Sequence, residues 1–130
     1  MKIYRIEATA LKNGWIDGII NGFRFQAKIY DEDSKFGIEN GRVSKLTVWD
    51  EQKRKSGSGS GDILSYDRGW DKKPSSSENK DILWALMSYF VVFPTHKYCD
   101  ELPLCKPFKA DVYLNNSNRI KVCIKVYPDI

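Results

Sequence analysis

The sequence has a single histidine, His96, among its 130 residues. General acid–base catalysis usually employs histidine or carboxylates tuned by their surroundings. A Ser-His-Asp arrangement would therefore need that one imidazole, which lies in a proline-flanked segment. No Gly-x-Ser-x-Gly elbow is present to hold a nucleophile, and no Gly-x-x-x-x-Gly-Lys-Ser/Thr string to cradle phosphates. Long apolar runs are missing as well. The longest candidate, Ile82 to Phe93, is interrupted by Ser88 and followed by Pro94, well short of the roughly 20 residues that cross a bilayer. The opening Met1-Lys2-Ile3-Tyr4-Arg5-Ile6-Glu7 spaces its charges as a strand does, not as a signal peptide does. A cytoplasmic protein with no membrane partner is the expectation.

Cysteine is scarce and odd in number: Cys99, Cys105 and Cys123. In a reducing compartment free thiols are expected. His96, Cys99 and Cys105 are weak metal candidates, since zinc takes four such ligands. Paired Cys-x-x-Cys knuckles are absent, and plain buried or free thiols explain the same residues. No metal and no cofactor is expected. Asp31-Glu32-Asp33 offers oxygens for a hard cation but lacks calcium-loop spacing, and reads as a solvated acidic turn.

The chain is long enough for one domain, 1–130, with a single core. Its 42% hydrophobic content is that of a globular protein. The net charge of +4 permits an anionic partner without requiring one. With 17 acidic residues interspersed among 21 basic ones, nucleic acid is a less favoured partner.

Alternation of Tyr4, Ile6, Ala8 and Ala10 with Arg5, Glu7 and Thr9 predicts a strand. Trp15 to Ile20 and Phe23 to Tyr30 flank Asn21-Gly22, a hairpin signal because both turn residues tolerate positive φ. Phe23, Phe25, Ala27 and Ile29 face one way, and Arg24, Gln26, Lys28 and Tyr30 the other. Asp31 to Arg42 reads as a loop anchored by Phe36 and Ile38. Val43 to Asp50 and Ile63 to Asp67 read as strands, with Arg68 to Pro74 a turn into a helix. Ser75-Ser76-Ser77-Glu78 fits a capping box. Ile82, Leu83, Leu86, Met87, Phe90 and Val91 give that helix, about 76–93, an apolar stripe. A last hairpin spans 108–127, within an extension covering 94–130. The fold class predicted is α+β: an antiparallel sheet of hairpins, one main amphipathic helix packed on it, and a C-terminal β-hairpin. The strict Ser-Gly alternation at 56–61 has nothing to pack and reads as a flexible, linker-like loop.

The string richest in recognition chemistry is Tyr66-Asp67-Arg68-Gly69-Trp70-Asp71-Lys72-Lys73. Arginine offers a bidentate fork for phosphate or carboxylate. Tryptophan offers a surface on which a base stacks, and the amides of the following helix add a weak anion site. Tyr66, Arg68, Trp70, Lys72 and Lys73 are therefore candidate ligand-binding residues. Arg24, Lys28 and Tyr30 on the polar strand face join them. The competing structural account pairs Asp67 with Arg68, gives Gly69 a positive φ and caps the core with Trp70. Trp15 and Trp49 are expected as half-buried packing residues.

Two stretches resemble a family of short, uncharacterised proteins from Firmicutes and their phages. One runs Gly22-Phe23-Arg24-Phe25-Gln26-Ala27-Lys28-Ile29-Tyr30-Asp31 and on through Phe36-Gly37-Ile38-Glu39-Asn40-Gly41-Arg42-Val43-Ser44-Lys45-Leu46. The other is Tyr66 to Pro74 with its helix. The resemblance covers about residues 15–93. It implies a mobile-element context and no activity. Together with the missing catalytic set it leads to one expectation: a non-enzymatic counter-defence protein. Such a protein would sequester a nucleotide-like immune signal or inhibit a host defence protein, and a homo-oligomer built through the final hairpin edge would suit a pocket shared between subunits. The alternatives are a nucleic-acid-binding module and a small nucleotide-processing enzyme.

Overall fold

A computed structural model describes residues 2–30, 32–57, 59–92, 108–114 and 121–127. The strands are β1 (Lys2–Ala10), β2 (Trp15–Ile20), β3 (Phe23–Ile29), β4 (Val43–Trp49), β5 (Asp62–Asp67), β6 (Trp70–Lys72), β7 (Phe108–Leu114) and β8 (Lys121–Tyr127). The helices are α1 (Glu51–Lys55) and α2 (Ser77–Val92). The eight strands form one sheet in the order β6-β5-β4-β3-β2-β1-β7-β8, antiparallel throughout. The α+β class, the main helix on an antiparallel sheet and the C-terminal hairpin all match the sequence expectation.

Period-two alternation decides which face is buried. Tyr4, Ile6 and Ala8 of β1 are buried, as are Ile16 and Ile20 of β2 and Phe25, Ala27 and Ile29 of β3. They pack with Leu46, Val48 and Leu64 against Ile82, Ala85, Leu86, Tyr89 and Phe90 of α2. The expected helical stripe is thus rotated slightly. Leu83 and Met87 are only partly buried, while Ala85 and Tyr89 are fully inside. The turn residues Asn21 and Gly22 both have positive φ, 44° and 88°, as a two-residue hairpin loop requires. Asn21 also accepts a hydrogen bond from the Arg5 amide through Oδ1 at 2.8 Å, tying the turn to β1.

Three local expectations are corrected. Arg68 to Pro74 is not a simple turn: Trp70–Lys72 forms strand β6, paired to β5. The positive φ in that hairpin, 56°, belongs to Arg68 and not to Gly69. The Arg68 amide donates to the Ser44 carbonyl at 2.9 Å and the Asp67 amide to the Gly69 carbonyl at 2.9 Å, and these bonds hold the turn. The cap of α2 is Ser76, whose Oγ accepts from the Asn79 amide at 3.0 Å, so Glu78 misses the box position by one residue. Strand β4 stops at Trp49 because Asp50 caps α1, accepting from the amides of Gln52 and Lys53.

The Ser-Gly run is less free than its composition implies. Ser58 lies outside the described residues. At the far end, the Gly61 carbonyl accepts from the Asp50 amide at 2.9 Å, and Arg54 Nε donates to the Ser60 carbonyl at 2.6 Å. Gly61 has φ +74°, and a Cβ there would meet the Asp50 carbonyl oxygen at 2.5 Å. Gly61→Ala is therefore expected to cost about 1–3 kcal/mol, read as a lower urea midpoint with unchanged slope.

Candidate functional site

The other face of the sheet carries the alternate residues, and those that form its rows across β1 to β5 are half-buried or exposed. Cross-strand register arranges them in rows. Glu7, Ile19, Arg24 and Trp49 form one row. Thr9, Asp17, Gln26, Thr47 and Ser65 form the next, and Trp15, Lys28, Lys45 and Asp67 the third. Among the described residues, only α1 overhangs this face, at its Trp49 end.

Two cation–aromatic groups lie on the face and differ in kind. At Trp49, the Arg54 guanidinium sits 4.1 Å from the ring centre. Arg54 is also committed to Asp62 at 2.9 Å and to the Ser60 carbonyl. The indole N–H of Trp49 donates to Glu51 at 2.6 Å. These contacts hold α1 to the sheet. At Trp15, the Lys28 and Lys45 ammoniums stand 5.5 and 5.6 Å from the ring centre, and Lys28 is also 5.7 Å from the Tyr30 ring. Lys45 makes a loose pair with Asp67 at 3.8 Å, and Arg68 approaches the same carboxylate at 3.5 Å. Arg42 Nε donates to the Tyr30 carbonyl at 2.8 Å. This end therefore gathers several cations around two aromatic rings and one carboxylate. Tyr30 is 44% exposed, so its ring is open to a ligand.

The expected site is divided by this geometry. Lys28, Tyr30 and Arg68 meet at the Trp15 end. Tyr66 turns to the core instead, 8% exposed, with its hydroxyl donating to the Phe36 carbonyl at 2.8 Å. Trp70 follows it, ring centres 5.1 Å apart in an edge contact, so it caps the core. Tyr66 is thus buried and Trp70 partly buried, both packed with the core and away from Lys28 and Tyr30. Arg24 stays on the open face but four residues along from Lys28, opposite Trp49. Lys72 reaches the Asp62 carbonyl at 2.6 Å, at the opposite end of β5 from Asp67, and Lys73 is exposed. Trp15 is half-buried as expected, yet it also centres the cluster, and Lys45 joins it unforeseen. His96, Cys99 and Cys105 lie outside the described residues, as does the side chain of Cys123. Among the described residues no group of three or more His, Cys, Asp or Glu could hold a metal, and no helix is long and apolar enough to cross a membrane.

A family model described as Domain of unknown function (DUF7678) matches residues 14–91. The chain belongs to this family. The DUF7678 span opens one residue before β2 and closes within α2, so it contains the whole Trp15 cluster. Strands β1, β7 and β8 fall outside it. No curated protein and no solved structure matches the chain.

Proposed function

We propose that this DUF7678 protein is a non-enzymatic binding protein of phage or mobile-element origin. It sequesters a nucleotide-like immune signal stoichiometrically at the Trp15 end of its open sheet face. The observation that carries this reading is the placement of Lys28 on β3 and Lys45 on β4, both ammoniums beside the Trp15 ring, with Tyr30 exposed at their edge. A nucleobase stacks on an aromatic face, and its phosphate takes the ammoniums that otherwise rest on the ring. Arg68 supports the same end as a fork for phosphate oxygens. The sequence supports the non-enzymatic part through its single histidine and its lack of nucleophile-elbow and phosphate-loop motifs.

Calorimetric titration with cyclic nucleotides and ADP-ribose derivatives tests this. At least one is expected to bind at one site per chain. Trp15→Ala is expected to weaken that ligand by about 1–3 kcal/mol, the worth of one stacked base. Trp49→Phe, at the locked group, should leave it unchanged. No complex with any panel member, combined with capture of a host defence protein, would move the function to protein inhibition.

A nucleic-acid reading has one observation in its favour, a face crossed by several strands that, among the described residues, only α1 overhangs. Its ion pairs count against it: Arg5 with Asp111 at 4.0 Å and Lys45 with Asp67 break up the continuous positive track that backbone binding uses.

A further inference from the structure

A cleft of about 350 Å³ lies away from the Trp15 cluster, where α1, the start of β5, β6 and the first turn of α2 converge. That volume is within the range of small-ligand sites, about 300–1,000 Å³. Its polar walls are Lys53, Ser60, Asp62, Lys72, Ser75 and Asn79. The charges are unbalanced. The one carboxylate, Asp62, is already paired with Arg54 at 2.9 Å. Lys72 is held at the cleft by its bond to the Asp62 carbonyl oxygen, and among the described residues no carboxylate pairs with its ammonium. Among the described residues, no carboxylate pairs with the Lys53 ammonium. Two like charges from different elements thus converge on one cleft, together with two hydroxyls and an amide that can donate to oxygen.

We infer that this cleft is a polyphosphate site, taking the di- or triphosphate group of a ligand. The two ammoniums sit beside its bridging and terminal oxygens, Ser60 and Ser75 donate to it, and its negative charge removes the repulsion between Lys53 and Lys72. The site stands independently of the Trp15 cluster, on the other side of β5 and at its opposite end.

The probe is inorganic tripolyphosphate, titrated into the isotopically labelled full chain at low salt and followed by amide resonances. Gly61 and Asn79 are expected to shift in a saturable way. Lys53→Gln is expected to weaken binding at least tenfold with an unchanged melting temperature, since its ammonium has no described fold partner. Lys72→Gln should weaken it similarly. Lys73→Gln removes the same charge one residue outside the cleft and should leave affinity within twofold, as should Trp15→Ala. A parallel titration with ATP assigns the source: equal affinity means the phosphate chain alone is read, and tighter ATP binding means a nucleotide. Unmoved resonances at millimolar tripolyphosphate, or Lys53→Gln binding as tightly as the parent, would overturn the inference.

Discussion

Phe90→Ala is expected to destabilise the protein by about 3–5 kcal/mol, the usual cost of emptying a buried aromatic site. Phe90 is the point at which α2 engages the middle of the sheet. Its ring meets Phe25 of β3 edge-on, centres 6.0 Å apart, and stands 5.6 Å from Tyr89. Phe25, Tyr89 and Phe90 are all almost fully buried. Truncation removes the transfer energy of the ring and leaves a void between a helix and a rigid sheet, neither of which collapses easily to fill it. Domains are stable by only about 5–15 kcal/mol, so the variant loses a large share of its total. Urea melts monitored by circular dichroism read the effect directly. A loss below about 1.5 kcal/mol would mean that α2 is held elsewhere.

Gly18→Ala is the second large effect, and its sign is not obvious. Alanine is intrinsically better than glycine in a strand by roughly 0.5–1 kcal/mol. Here sterics oppose that gain. A Cβ at Gly18 would stand 2.3 Å from the Glu7 carbonyl oxygen and 2.7 Å from the Phe25 ring. The Glu7 oxygen belongs to the backbone of the neighbouring strand and cannot rotate away. Phe25 is in turn confined by Phe90. Relief has to come from parting β1 and β2, so the expected result is a net loss at the upper end of the about 1–3 kcal/mol typical of overpacking. Hydrogen exchange should speed up in β1 and β2 ahead of β4 and β5, which locates the strain. A neutral or stabilised Gly18→Ala would refute the close approach.

Parts of the site were legible in the residues because their physics is local. Asn21-Gly22 fixes a two-residue hairpin, and counting outward from it sets Trp15 opposite Lys28 without any structure. The turn alone leaves Trp15 as a packing residue, and only the register it implies brings Trp15 beside Lys28. Alternation likewise places Tyr66 with Leu64 on the buried side. Tyr66 shares its recognition chemistry with its neighbours in sequence but not with its face of the sheet. The α1 helix carried a readable signature: an Asp cap, an acidic first turn and Lys53, Arg54 and Lys55 at its end, each favourable to the helix dipole. Other features depend on distant partners. Lys45 reaches Trp15 only through the β3–β4 register, which passes a long loop and a bulge at Lys28/Ile29. Arg68 adopts its left-handed backbone beside the carbonyl of Ser44, a partner that no pattern around Gly69 reveals. The pairing of β7 with β1 joins segments almost a chain length apart.

That last pairing bears on how the protein is made. β1 is an interior strand, bonded to β2 on one side and β7 on the other. It leaves the ribosome well before β7, which lies far downstream in the chain. Throughout elongation, with domains emerging at about 5–20 residues per second, β1 can pair with β2 while its second edge stays open. An open edge of that length is a template for another chain. The alternating charges Arg5 and Glu7, exposed on the outer face, are thus guards for a nascent protein as much as surface residues of a finished one.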